Sequence, residues 1–106
     1  MQEIDRLIEA TVRDLATQFD RVVAKVRERE RKYRSGWRRD EIPEMLWAIR
    51  NKARRTSESF DVHPNVFAAY TEEELIDRED DALDLAAYAL MLLHRIRVRK
   101  EELSGS

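Results

Sequence analysis

Cysteine is absent from the 106-residue sequence, and glycine and proline occur only twice each. Without cysteine there is no disulfide and no zinc site with thiolate ligands. So few helix-breaking residues favour long, uninterrupted helices. The net charge is -2, so no overall positive field draws the chain to nucleic acid, and we expect no nucleic-acid partner.

A long hydrophobic segment is also missing. The apolar run Leu85–Leu93 is too short to span a bilayer, and the N-terminal segment has no signal-peptide core. We therefore expect no contact with a membrane and a cytoplasmic protein.

The chain combines 40% charged with 42% hydrophobic residues, which is typical of a helical soluble protein. We predict an all-α fold with one helical domain over residues 1–106. The predicted elements are three main helices at about 3–33, 41–57 and 72–100, a short turn near 64–69 and a frayed tail at 101–106. We expect a helical bundle completed by dimerisation, because the apolar run Leu83–Leu93 offers more surface than two partner helices cover.

The first helix carries one apolar stripe whose members are alternately four and three residues apart. These residues are Ile8, Val12, Leu15, Phe19, Val22 and Val26. The pattern predicts an amphipathic helix in a bundle or in a helix–helix dimer. The stripe ends at Val26, and we expect the charged segment 27–34 to lie in solvent or against a second subunit.

The third helix carries the strongest indication of a site. Thr71 and Glu74 form a capping box that marks its start. Four polar side chains then fall within roughly 60° of one another around the helix. They are Asp77, Asp81, Asp84 and Tyr88. Asp84 lies in an apolar run, where a carboxylate is costly unless a positive group pairs with it. A divalent metal ion and a buried Arg or Lys are both open as that group.

The second helix presents two carboxylates and two cations within about 80° of one face. They are Glu41, Glu44, Lys52 and Arg55. If this face packs against the third helix, its carboxylates and the Asp81–Asp84 pair form a four-carboxylate metal site. The two cations would then lie about 12–17 Å further along, within reach of the outer phosphates of a nucleotide. A solvated face of mixed charge explains the same spacing equally well.

Aromatic residues are mixed with cations in the segment KYRSGWRR, residues 32–39. Tyr33 and Trp37 flank the Ser-Gly pair, and such a mixture suits stacking on a base together with phosphate contacts. The alternative is that Trp37 fills the core beside the second helix. Glu28 and Glu30 lie in the same basic region and weaken any interpretation as a nucleic-acid site.

Two motifs resemble those of the MazG-like all-α nucleoside triphosphate pyrophosphohydrolases. E41-I-P-E44 resembles the first acidic pair of that family, and D81-A-L-D84 resembles the second. A phage-associated branch linked to nucleotide modification is similar over roughly residues 30–95. The matching residues are Lys32, Tyr33 and Trp37, then Lys52 and Arg55, then Asp80, Asp84, Leu85 and Tyr88.

The resemblance implies a dimeric, Mg²⁺- or Mn²⁺-dependent hydrolase that converts a nucleotide triphosphate into a monophosphate and pyrophosphate. The catalytic residues expected are Glu41 and Glu44. The expected metal ligands are Glu44, Asp77, Asp81 and Asp84. The expected substrate-binding residues are Lys52, Arg55, Trp37, Tyr33 and Tyr88. The alternative is a non-catalytic helical binding or assembly protein, a phage or bacterial regulator, in which Asp84 pairs with a buried Arg across a dimer interface.

Overall fold

The computed structural model describes residues 2–33 and 42–105 and contains three α-helices. They are α1 (Glu3–Tyr33), α2 (Ile42–Ser59) and α3 (Glu72–Ser104). Two single-turn 3-10 helices, Phe60–Val62 and Phe67–Ala69, lie in the connector between α2 and α3. No strand occurs in these described segments, so the predicted all-α class is confirmed.

Two helix ends differ from the sequence-based bounds. α2 continues to Ser59, where we predicted an end near 57, and α3 continues to Ser104 instead of fraying from 101. The last turns of α3 gain support from an Arg97–Glu101 ion pair at 2.7 Å, and the N–H of Gly105 caps the carbonyl of Glu101. The sequence favours Asp40 as the N-cap of α2, and this residue lies outside the described residues.

The start of α3 has the predicted capping box. The Thr71 hydroxyl accepts a hydrogen bond from the Glu74 N–H, and the Glu74 carboxylate accepts one from the Thr71 N–H. Just before it, Asn65 adopts a left-handed backbone with φ of 67°. Asparagine tolerates that conformation better than most residues, so the chain turns here without a glycine.

The connector is fastened to α3 by one buried arginine. Arg78 donates two hydrogen bonds to the carbonyl of Ser59 and one to the carbonyl of Glu74. Its guanidinium also lies over the rings of Phe60 and Tyr70. These contacts close α2 and α3 into an antiparallel helical hairpin.

The apolar core lies between the two helices of this hairpin. Met45 of α2 and Met91 of α3 are each only 2% exposed. Val26 of α1 packs against them, together with Tyr88 and Leu92. α3 therefore contacts both other helices and forms the centre of the fold.

Most of the predicted dimer surface on α3 is covered within the chain. In the run Leu83–Leu93 only Ala89 and Leu93 are exposed. Large apolar side chains are exposed on all three helices and in the connector, and six of them lie in the first half of α1, where every residue from 3 to 17 is exposed. No helix among the described residues has the length and apolar character needed to cross a membrane.

Candidate functional site

Asp84 lies where all three helices meet. It is buried on α3, and two cations from different helices approach its two carboxylate oxygens. Arg29 of α1 lies 3.3 Å from one oxygen, and Lys52 of α2 lies 3.3 Å from the other. Of the two partners left open by the sequence, the structure places Arg and Lys beside Asp84, and both belong to the same chain.

A second ion pair lies one helical turn before Asp84. Lys25 of α1 contacts Asp80 at 2.6 Å, and Asp80 is the more exposed member of the pair. Arg29 also donates a hydrogen bond to the Tyr88 hydroxyl at 3.2 Å, with its guanidinium 5.1 Å from the centre of the Tyr88 ring.

These contacts form one group, which we call the ion cluster. Its members are Lys25, Arg29, Lys52, Asp80, Asp84 and Tyr88. It contains three cations and two carboxylates, and the charge of Glu28 also acts on Lys25. Four of these residues match the resemblance at Lys52, Asp80, Asp84 and Tyr88. Residues far apart in the sequence thus meet at one place.

Two members of the ion cluster, Asp84 and Lys25, have pKa values that favour their charged forms. Burial alone would raise the pKa of Asp84, but the charges and hydrogen bonds of Lys52 and Arg29 outweigh it and hold the pKa below its usual value. The hydrogen bond to Asp80 raises the pKa of Lys25 despite partial burial. At neutral pH Asp84 and Lys25 are therefore both charged.

A cavity of about 170 Å³ opens at the α1 side of the ion cluster. Its lining includes Lys25, Arg29, Asp80 and Asp84, with Glu28 also in the wall. Pockets for whole small molecules usually measure about 300–1,000 Å³. This cavity is smaller than such a pocket, and its wall carries two cations and three carboxylates.

The observed register of α2 and α3 does not produce the predicted four-carboxylate arrangement. Lys52 is level with Asp84, and Glu44 lies two turns earlier on α2, about 12 Å away along the helix axis. Glu44 is exposed in the first turn of α2. Within residues 2–33 and 42–105 no three Asp, Glu, His or Cys side chains gather as metal ligands. Glu41, the remaining member of the predicted group, lies outside the described residues.

The other predicted site residues have different positions. Asp77 is exposed and Asp81 is half-buried on α3. Arg55 is exposed on α2 and is not part of the ion cluster. Trp37 lies outside the described residues, as does the side chain of Tyr33, so their stacking role stays a prediction.

Sequence reasoning missed Arg29 and Lys25. The segment that begins at Arg27 was expected to lie in solvent or against a second subunit, yet Arg29 turns inward onto Asp84. The spacing contains a signal for this, because Val22, Val26 and Arg29 continue the alternation of four and three residues. The apolar stripe does not stop at Val26, since its next position is a cation that reaches a buried carboxylate.

The class defined by these observations is an all-α protein with a buried ion cluster at the junction of three helices. No family model matches this chain, and no curated protein or solved structure matches it.

Proposed function

We propose that the chain binds a nucleotide by its phosphates at the ion cluster. The observation that carries this proposal is the small cavity whose wall holds Lys25 and Arg29, with Lys52 on the other oxygen of Asp84. An arginine guanidinium gives planar paired hydrogen bonds to phosphate oxygens, and lysine acts as a mobile point charge. Phosphates entering the cavity would draw these cations away from Asp80 and Asp84.

Magnesium fits this site only in a restricted way. The described residues do not form a four-carboxylate site, but Mg²⁺ is usually bound by one or two carboxylates together with substrate phosphates. Asp80 and Asp84, one turn apart on α3, are two such carboxylates. Mg²⁺ or Mn²⁺ that arrives with the nucleotide would polarise the phosphates and lower the pKa of an attacking water. The proposed reaction is release of pyrophosphate from a nucleoside triphosphate.

The non-catalytic alternative is favoured by a specific contact. Asp84 already has two cationic partners within its own chain, so the ion cluster satisfies a buried carboxylate without any ligand. A buried ion group of this kind can fix the register of three helices. In this second function the chain is a helical assembly protein, and its partner surface lies elsewhere.

Under both functions we propose a homodimer. The buried hydrophobic residues of the described chain are few, and seventeen large hydrophobic side chains are exposed. Soluble monomers rarely expose contiguous apolar patches of more than a few hundred Å².

The direct test is a nucleotide panel with Mg²⁺ or Mn²⁺, followed by thermal melting and by pyrophosphate release. Lys25→Ala should abolish the nucleotide-induced rise in melting temperature, because it removes a cation from the wall of the cavity. Arg13→Ala is the matched control, since Arg13 is an exposed cation on the same helix and should leave that rise unchanged. If no nucleotide changes the melting temperature and no pyrophosphate appears, the proposal fails. Release of orthophosphate would support the binding site but refute the proposed release of pyrophosphate.

Asp84→Asn separates the two functions. Because Arg29 and Lys52 both face Asp84, loss of its charge should lower the free energy of unfolding by about 3–5 kcal/mol in either case. The decisive readout is therefore the additional rise in melting temperature that Mg²⁺ gives to the nucleotide complex. Each melting scan starts at a temperature where the variant is folded. Loss of that rise supports the hydrolase, a rise equal to that of wild type refutes Asp84 as a metal ligand, and the absence of any rise in wild type supports the assembly protein. Asp77→Asn is the control for a neutralised carboxylate on the same helix.

A further inference from the structure

The first half of α1 has a continuous uncharged face. Six large apolar side chains on it are between 52% and 63% exposed. They are Ile4, Leu7, Ile8, Val12, Leu15 and Phe19. At about 100° per residue they fall within roughly 140° of the helix circumference, and only Thr11 and Gln18 lie among them. We call this surface the α1 face.

The α1 face is exposed because α1 begins well before α3. The two helices run in the same direction, since Arg21 contacts Glu79 and Arg29 contacts Asp84. α3 starts seven residues before Glu79, so the first turns of α1 extend roughly 15–20 Å beyond it. Nothing among the described residues covers this part of α1.

The same face of α1 is covered further along the chain. Val22 is buried, and Val26 packs against the core formed by Met45 and Met91. The apolar stripe of α1 is thus exposed in its first half, the free half, and covered by the hairpin in its second half. Any occupant of the free half must end where the α2–α3 hairpin begins to cover the stripe.

The character of the α1 face favours another helix of the same kind. Asp5 and Asp14 border the face, and the other charged side chains of this half of α1 lie further round the helix, so the face itself contains no charge. The Thr11 hydroxyl already donates to the carbonyl of Leu7, so its proton is satisfied inside the contact. The spacing of alternately four and three residues is that of a helix–helix seam, and a second α1 supplies the matching pattern.

Only one orientation of that second α1 is free of collision. In a parallel pair the later half of the partner's α1 would run along the part of the stripe that the α2–α3 hairpin occupies. In an antiparallel pair that later half extends past residue 3, into space that the described chain leaves open. The antiparallel pair also aligns the two helix dipoles favourably.

We infer that two copies of this chain associate through an antiparallel seam between their α1 faces, with the two-fold axis near Val12. The seam gives the proposed homodimer its contact surface, and it rests on that part of the proposed function. It does not depend on the ion cluster or on nucleotide binding.

Light scattering over a concentration series tests the association itself. Wild type should have twice the 12.6 kDa mass of one chain, and Leu15→Glu should have the mass of a monomer with unchanged helical circular dichroism. Ala10→Glu is the matched control, because it adds the same charge on the exposed opposite side of α1. A monomeric wild type contradicts both the dimer and the seam. A wild-type dimer that Leu15→Glu leaves intact retains the proposed dimer and overturns the seam.

Disulfide cross-linking tests the orientation, because the chain has no cysteine of its own. Val12→Cys should cross-link two copies under mild oxidation, because it lies at the two-fold axis. Ile4→Cys and Phe19→Cys should each fail to cross-link alone but should cross-link when the two variants are mixed. A parallel seam would link each variant to itself, and a seam with a different partner would link none. Either result overturns the inference.

Discussion

The α2–α3 hairpin and α1 are attached to the fold by different forces. In the hairpin, Met45 and Met91 are almost completely buried, and Arg78 closes the connector with three hydrogen bonds to backbone carbonyls. α1 contributes Val22 and Val26 to the packing. Its polar contacts with α3 are ion pairs from successive turns of α1, together with the hydrogen bond from Arg29 to Tyr88.

This row of ion pairs has unequal members. Arg21–Glu79 and Lys25–Asp80 lie toward solvent, whereas Arg29–Asp84 is nearly buried. Exposed pairs of this type contribute little stability, and buried packing contributes more. We infer that the hairpin is the stable unit and that α1 is the element most open to association with another molecule.

Of the substitutions that compare the hairpin with α1, Met91→Ala should have the largest effect, because it creates a cavity at the centre of the hairpin. Met91 is 2% exposed, and substitutions of this kind lower the free energy of unfolding by about 2–5 kcal/mol. Urea denaturation measured by circular dichroism gives the value. Leu93→Ala is the control, because Leu93 is exposed on the same helix and should cost much less. Equal losses for the two variants would contradict a core at Met91.

Arg78→Ala should have the next largest effect. It leaves the carbonyl of Ser59 without its donor and removes the cation above two aromatic rings. We expect a loss of about 2–3 kcal/mol in the free energy of unfolding, measured by the same denaturation. Arg97→Ala, which removes an exposed arginine from an ion pair further along α3, should change it by well under half as much. A loss no larger than that of the control would show that the connector is held by other contacts.

Lys25→Ala tests how α1 is attached to α3 and should have a smaller effect on the free energy of unfolding. Its pair with Asp80 is partly exposed, so the expected loss is about 0.2–1 kcal/mol at low salt. The loss should shrink in 1 M NaCl, where the Debye length is about 3 Å. Met91→Ala should cost nearly the same at both salt concentrations, because it removes packing and no charge. A loss from Lys25→Ala that does not depend on salt would contradict an electrostatic attachment of α1.

Much of the fold could be predicted because its causes are local. The capping box at Thr71, the scarcity of glycine and proline, and the apolar spacing on α1 each act within a few residues. The need for a positive partner at Asp84 also follows from its apolar neighbours.

The identity of that partner could not be predicted, because it depends on the register of helices distant in sequence. Sliding α2 by two turns exchanges Glu44 for Lys52 opposite Asp84, and the local pattern permits either register. Arg29 was missed for a related reason. A charged segment resembles a solvated face until its tertiary neighbour is known.

The smallest effect is expected from Glu74→Gln, at the start of α3 in the hairpin. The substitution keeps an oxygen that can accept from the Thr71 N–H and removes only the charge. That hydrogen bond lowers the pKa of Glu74 against the opposing effect of burial, and the Thr71 hydroxyl and His63 lower the pKa further. Because the pKa is lower in the folded state than in the unfolded state, the stabilisation is complete above the ordinary Glu value of about 4.3 and is lost as the pH falls through the folded value.

The melting temperatures of wild type and Glu74→Gln should therefore differ at pH 7 and converge as the pH falls below about 4. Glu73→Gln is the matched control, because Glu73 lies in the same first turn and shares the helix dipole but has no part in the capping box. If the melting temperatures of the two variants fall by the same amount at pH 7, the helix dipole alone accounts for the effect and the capping carboxylate adds no stability. A difference between wild type and Glu74→Gln that grows toward acid would reverse the sign of the linkage. It would place the lower Glu74 pKa in the unfolded chain, against the hydrogen bond from Thr71.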